Sequence, residues 1–186
     1  YGDSTVMASE LHVDAIKHSG GTSALTIDSS GNLTASAKLH SAGAVVQYAY
    51  QTSAVAVTNA NNSYVATSVS ISFTPKFSSS IIQIYWDGFF AKSASGAGGF
   101  GYGIFKDGVV LHDIGADAGP SPYEAYKDES RINQRFSRLI SHSAGNTNAR
   151  TYTCRFRGYN SMTVIVNNGS SGGSPEEIMT VMEIAQ

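Results

Sequence analysis

The sequence predicts an all-β fold, in which a short β-arm linker region precedes an antiparallel β-sandwich. From Ala44 onward, about eight or nine short segments of alternating apolar and polar residues recur at regular spacing, separated by turns rich in Gly, Asn and Ser. Charged residues make up only 14% of the 186 residues, against about 25% in typical globular domains. The one candidate helical turn, Pro122–Ser130, has a capping pattern but no apolar stripe.

The N-terminal part, residues 1–43, is predicted to contain two short β-arms that end at glycine turns. His12–Lys17 and Ala24–Ile27 alternate, and the turns are Gly20-Gly21 and Asp28–Asn32. The apolar residues of these arms are too few to close a core, and isolated hairpins are marginal in water. We therefore expect the arms to pack against copies of themselves, as a homotrimer whose contact residues are Val13, Ile16, Leu25, Ile27 and Leu33.

The second part, residues 44–186, is predicted to be the sandwich, or a barrel, with one apolar face on each strand. Thr58–Ser63 is predicted to be a turn, Asp107-Gly108 a tight hairpin turn, and Ile178–Ile184 a final strand. The predicted core residues alternate with Ser, Gln, Thr and Arg, and they are Val69, Ile71, Phe73, Ile82, Ile84, Trp86, Tyr152, Cys154, Phe156, Val164 and Val166.

Composition and motifs argue against several function classes. A net charge of −2 gives no electrostatic reason to bind nucleic acid, and no apolar run approaches the roughly 20 residues of a membrane span. The glycine patterns at residues 96–101 and 169–173 match a nucleotide-binding and a hydrolase motif only in spacing, because no strand-turn-helix context surrounds them. The five histidines are not at metal-ligand spacing. We expect no catalytic residues, no metal and no cofactor.

The longest stretch without a strand pattern, Asp113–Arg131, is the predicted ligand-binding loop. Long ordered loops in compact domains are usually functional or disordered. Tyr123, Tyr126 and Arg131 are the candidate ligand-binding residues, because tyrosines offer a flat apolar face with a hydroxyl that can contact a sugar or a protein. Burial of the same loop against a neighbouring subunit is the alternative.

Three stretches of the sequence resemble structural proteins of tailed bacteriophages, especially marine ones. The first stretch is the linker pattern of Val13, Asp14, Ile16, Lys17, Ser19–Gly21 and Ala24–Asn32. The others are VSISFTPKFSSSIIQIYW at Val69–Trp86 and IMTVMEIAQ at Ile178–Gln186. In that family the linker joins a fibrous or particle-bound part to a trimeric β-sandwich head. The resemblance implies a jelly-roll-like trimeric head, located in the virion and assembled in the bacterial cytoplasm.

The resemblance leads to a non-enzymatic virion protein as the expected function. We expect a tail fibre or spike, in which the N-terminal arm attaches to other virion proteins and the head touches a glycan or protein of the host surface. The first alternative is a capsid decoration or head-fibre protein, which would follow the capsid lattice. The second alternative is a non-viral carbohydrate-binding module, which would be a monomer. A glycosidase would need a carboxylate pair across a cleft, and none is evident.

Overall fold

A computed structural model of the protein describes residues 13–17, 19–21, 23–35, 42–92, 99–114, 132–158, 162–167 and 176–186. Contacts divide the chain into two compact units, residues 1–41 and 42–186, and each unit is described by itself. The roles predicted for the two parts of the chain stay predictions. No helix occurs in the described ranges, and the candidate helical turn at residues 122–130 lies outside them.

The first unit contains a three-stranded antiparallel meander rather than two arms. Its strands are β1 (Ala15–Lys17), β2 (Ser23–Ile27) and β3 (Leu33–Ala35), in the order β1-β2-β3. The prediction missed β3, because three residues are too short to show an alternation. The strand pairs with β2 through the tight turn at Asp28–Asn32, with Ile27 opposite Leu33.

The second unit contains ten described strands in two antiparallel sheets. The strands are β4 (Val45–Ser53), β5 (Val57–Asn59), β6 (Val65–Phe73), β7 (Ile81–Lys92), β8 (Phe100–Lys106), β9 (Val109–Ile114), β10 (Ile132–Ser143), β11 (Arg150–Gly158), β12 (Val164–Val166) and β13 (Glu177–Ile184). One sheet contains β4, β13, β7, β12, β5 and β10, and the other has the order β6-β11-β8-β9. The all-β prediction is confirmed.

The topology of the second unit is that of a jelly roll. β13 pairs with Ile81–Asp87 of β7, and β12 pairs with Phe90–Lys92 on the same edge, so these two strands form one row. β4 and β5 continue each other in the same way beside that row. The ten strands therefore form eight rows. When the rows are numbered in the order in which the chain enters them, one sheet has the order 1-8-3-6 and the other has the order 2-7-4-5. This interleaving is the two-Greek-key arrangement of a jelly roll.

The core between the sheets contains all eleven residues that alternation predicted, each at most 5% exposed. Its centre is a group of aromatic rings around Phe90 and Trp86. The Trp86 ring lies 5.5 Å from the Phe90 centroid and 5.1 Å from that of Tyr102. Burial of large aromatic rings is the main source of stability in a core of this kind.

Side chains close the two open sides of the sandwich. At one side, Gln47 Nε2 donates to Thr74 O (2.7 Å), and Gln51 Oε1 accepts from the Ser70 amide (2.8 Å), so that β4 is joined to β6. At the other side, Arg138 on β10 contacts His112 Nε2 on β9 at 2.9 Å. Sheet edges expose unpaired backbone groups, and the glutamine amides satisfy two of them.

The turns confirm one prediction and correct another. Asp107 and Gly108 have φ angles of 51° and 81°, as a two-residue hairpin turn of type I′ requires. The predicted turn Thr58–Ser63 begins later, because Thr58 and Asn59 belong to β5. Asn59 is buried and its Nδ2 donates to Phe156 O (2.9 Å) and Ser63 O (2.8 Å). An asparagine that donates to two backbone carbonyls in this way is compatible with a strand, although the composition of the surrounding stretch suggests a turn.

Candidate functional surfaces

The three predicted ligand-binding residues, Tyr123, Tyr126 and Arg131, lie outside the described residues. Their role stays a prediction. The described surfaces of the two units contain three other features. The first is an apolar face on the meander, which contains three of the predicted trimer contacts. The others are one distinct outer face on each sheet of the jelly roll, and sequence analysis did not single these out.

The predicted trimer contacts lie on and around one apolar face of the meander. Pairing places Ile16 opposite Leu25, and Ile27 follows Leu25 by two residues, so these three side chains share a face. Ile16 is 49% exposed and Ile27 is 43% exposed, while Leu25 is half-buried. Val13 is half-buried just before β1, and Leu33 pairs with Ile27. We call Ile16, Leu25 and Ile27 the meander face.

Asp28 fixes the turn that aligns this face. Its Oδ1 accepts from the amides of Ser30 and Asn32 at 2.9 Å each, and its Oδ2 accepts from Asn32 Nδ2 at 2.9 Å. These bonds, with the Asn32 side chain contributing most, lower the pKa of the Asp28 carboxyl. Gly31 has a φ of 81°, which favours glycine. The stretch that carries the linker resemblance therefore encodes a turn with a defined shape.

The outer face of the β4–β13–β7–β10 sheet is neutral and rich in tyrosine. One row across four strands is Tyr50, Thr180, Tyr85 and Leu139, and the parallel rings of Tyr48 and Tyr50 lie 6.4 Å apart. Tyr48, Tyr50 and Leu139 are each more than half exposed. We call Tyr48, Tyr50, Tyr85 and Leu139 the tyrosine face.

The described charges on this sheet surface compensate each other. Asp87 and Arg135 form an ion pair, and the Tyr85 hydroxyl donates to Asp87 Oδ2 at 3.3 Å. Burial, together with the neighbouring Asp87 carboxylate, raises the pKa of the Tyr85 hydroxyl. A broad surface with exposed aromatic rings and no net charge is typical of a contact with another protein surface.

The outer face of the β6–β11–β8–β9 sheet contains two arginines, each stacked on an aromatic ring. Arg155 Cζ lies 4.8 Å from the Phe105 ring centroid, and Arg157 Cζ lies 4.8 Å from the Tyr64 centroid. The two rings contact each other edge to face at 5.1 Å. We call these four residues the arginine face. Sequence analysis placed the arginines outward by alternation but had no signal for their ring partners, because Phe105 belongs to another strand and Tyr64 directly precedes one.

Two glutamates are fully buried, which sequence analysis missed. Glu177 Oε1 accepts from Trp86 Nε1 at 2.6 Å, and its Oε2 accepts from Ser68 Oγ (3.1 Å) and Asn167 Nδ2 (3.4 Å). The sequence did contain an indication of this burial, because Glu177 and Glu183 alternate in phase with the core residues Met179 and Val181. Acidic residues are almost never fully buried unless they have partners.

Glu183 organises the turn between β6 and β7. Its carboxylate accepts from the amides of Lys76 and Phe77 (2.8 Å each) and from Gln47 Nε2 (2.7 Å). Burial alone would raise the pKa of Glu183, but these hydrogen bonds outweigh it, and the pKa is lowered. Both glutamates therefore hold strands and turns together inside the sandwich.

Cys154 is buried, as predicted, and its environment does not favour chemistry. Burial, together with the charge of Glu177, raises the pKa of the thiol well above its usual value, so the nucleophilic thiolate is disfavoured. Among the described side chains, no group of three His, Cys, Asp or Glu residues could hold a metal ion.

No protein-family model and no curated protein matches the sequence. In the described part of the chain, no helix has the length and hydropathy needed to cross a membrane.

Proposed function

We propose that the chain is a non-enzymatic structural protein of a tailed-phage virion, of the tail-fibre or spike type. The N-terminal unit joins three copies of the chain and attaches them to other virion proteins, and the jelly roll is the head that touches the host surface. The linker resemblance in Val13–Asn32 supports the class of protein. The jelly roll is compatible with it, since viral proteins use this fold, but a fold alone does not define a function.

The observation that carries the proposal is the meander face. Three strands of three to five residues cannot bury two isoleucines that remain 49% and 43% exposed. Removal of apolar surface from water contributes about 25 cal/mol per Å², so contact between copies of this face is favourable. Three copies around one axis would cover it, and the exposed tyrosine face offers a second surface for contact between copies.

Light scattering on the intact chain tests the assembly. We expect a trimer for the native sequence and a smaller mass for the Ile16→Ser/Ile27→Ser variant, because the substitutions remove the apolar contact. The matched control is Val109→Ser/Val110→Ser, which removes two apolar side chains that are 66% and 47% exposed on the β8–β9 hairpin and should leave the mass unchanged. Equal loss of the trimer in both variants would contradict a role for the meander face.

Immunogold electron microscopy tests the place in the particle. An antibody against residues 42–186 is applied to particles released from cells that express the chain from its native locus. We expect a few gold particles at the tail. Regular labelling over the capsid would instead indicate a decoration protein, and absence of label from all particles would refute the virion assignment.

A further inference from the structure

We infer that the arginine face, together with the hydroxyl groups beside it, binds an acidic polysaccharide through its carboxylate groups. The inference rests on the proposed function only for its biological setting, a host surface. The chemistry follows from Arg155, Arg157 and the neighbouring strands.

The two guanidinium groups are held in place before any ligand arrives. Each lies over an aromatic ring at 4.8 Å, and Phe105 is itself buried. An arginine stacked on a ring keeps its in-plane N–H groups for hydrogen bonds at the edge of the guanidinium, while the ring limits its rotamers. Less entropy is lost on binding when the donor is held in this way.

The surroundings of Arg155 leave its charge available. Pairing places Gly103 opposite Arg155 and Gly101 opposite Arg157 on β8, so that the neighbouring strand has no side chain there. In the described part of the chain, Arg155 has no carboxylate within salt-bridge distance. Its contacts are the Phe105 ring and a long bond to Thr153 Oγ1 at 3.5 Å. Asp107, in the nearby turn, already accepts from the Thr151 amide at 2.8 Å.

A patch of four hydroxyl groups continues the same surface. Ser72 lies opposite Thr151 and Ser70 opposite Thr153, on the outward side of β6 and β11. The serines are exposed and the threonines are half-buried. Hydroxyl groups both donate and accept, which suits the hydroxyls of a sugar. Arg155 lies two residues from Arg157 on one strand, about 7 Å away, and its guanidinium offers planar donors that match a carboxylate in two-point geometry.

Nucleic acid fits the same surface less well. Single-stranded nucleic acid needs aromatic faces on which its bases can stack. Phe105 is buried and one face of Tyr64 is covered by Arg157, so the rings support the arginines rather than a base.

Affinity electrophoresis of the full chain at low salt tests the inference. The gels contain polygalacturonate (carboxylated), dextran sulfate (sulfated), neutral dextran or single-stranded DNA. We expect polygalacturonate to retard the native protein and neutral dextran to leave it unaffected. Arg155→Gln/Arg157→Gln should weaken binding about tenfold for each arginine, as expected for charge-assisted hydrogen bonds. Arg155→Lys/Arg157→Lys keeps the charge but loses the fork geometry. Its affinity for polygalacturonate should lie between those of the native protein and the glutamine variant.

Two matched variants separate specific binding from general attraction. Lys17→Gln/Lys76→Gln removes two positive charges from exposed positions elsewhere and should bind as the native protein does. Ser70→Ala/Ser72→Ala keeps every charge and should bind more weakly, since it removes the sugar-facing hydroxyls. Thermal unfolding by circular dichroism confirms that each variant is folded. If the Arg155→Gln/Arg157→Gln variant does not fold, the Arg155→Lys/Arg157→Lys variant provides the test.

Several results would overturn the inference. They are absence of retardation by polygalacturonate, equal loss of binding in the Lys17/Lys76 variant, retention by dextran sulfate alone, and equal or tighter retention by DNA. The mass of the same samples is measured in parallel. A trimer that fails to bind refutes this inference and leaves the proposed assembly intact, whereas a binding monomer refutes the assembly and supports the site.

Discussion

Replacement of Trp86 by Phe tests the central contact of the core. Trp86 is fully buried, and its Nε1–H donates to the equally buried Glu177 carboxylate at 2.6 Å. Phenylalanine keeps most of the apolar volume but leaves Oε1 without this donor. A buried polar group that loses its partner costs about 1–3 kcal/mol, more when it is charged. Trp86→Ala adds a cavity and should cost about 3–5 kcal/mol from packing as well.

The cost of Trp86→Phe should depend on the charge of Glu177. Glu177→Gln removes the charge that lacks a donor in the Trp86→Phe background, so we expect the double variant to be more stable than the sum of the two single changes predicts. Contacting residues typically couple by about 0.5–3 kcal/mol.

Urea unfolding at one fixed protomer concentration measures these free energies. Unfolding is followed by circular dichroism, because Trp86 is the single tryptophan and its replacement removes the tryptophan fluorescence signal. The control Tyr48→Phe alters a side chain that is 66% exposed and should change stability by less than about 0.5 kcal/mol. A Trp86→Phe cost as small as that of the control, or zero coupling to Glu177, would refute the buried Trp86–Glu177 bond.

Two further predictions follow from close packing and from burial. Gly88→Ala should destabilise the protein by about 1–3 kcal/mol, because its Cβ would lie 2.3 Å from Trp86 Cζ2. Urea midpoints should show a smaller loss when Trp86→Leu removes that ring, and an equal loss would refute the clash. Burial, more than any other cause, lowers the pKa of His142, whose Nε2 lies 2.8 Å from the Tyr152 hydroxyl. The unfolded chain therefore takes up the proton first, and stability should fall as the pH decreases below about 6.5 toward the lower folded pKa. Urea midpoints across this pH range should change less in His142→Gln, and an unchanged pH dependence would reject His142 as the cause.

The sandwich core could be predicted because burial and polarity coincide in its central strands. Tyr152, Cys154 and Phe156 alternate with Thr and Arg, so a single face can be buried. Trp86 was placed by the same alternation in β7. The Asp107-Gly108 turn was predictable for a local reason, because its positive φ angles favour these residue types.

The exposed tyrosines could not be assigned to a face from alternation alone. In β4, Tyr48 and Tyr50 are exposed, whereas Gln47 and Gln51 are half-buried. Polarity suggests the opposite arrangement. Glutamine is favoured inward here because its amide reaches the backbone of the other sheet, a long-range contact that a local pattern does not contain.

The arginine face shows the same limit. The outward position of Arg155 followed from the strand pattern, but its ring partner Phe105 belongs to a strand that is distant in sequence. In the meander, by contrast, the predicted contacts Ile16, Leu25 and Ile27 do lie on one face, because strand pairing is set by two short turns. Whether copies of the chain meet there stays a prediction.

The mass of the chain in solution, with and without residues 1–41, tests the proposed assembly most directly. Light scattering at micromolar concentration should give a trimer for the intact chain. It should give a smaller mass for residues 42–186, because the meander face is removed. A monomeric intact chain would contradict the account, and so would a shortened chain that forms the same trimer with the same stability.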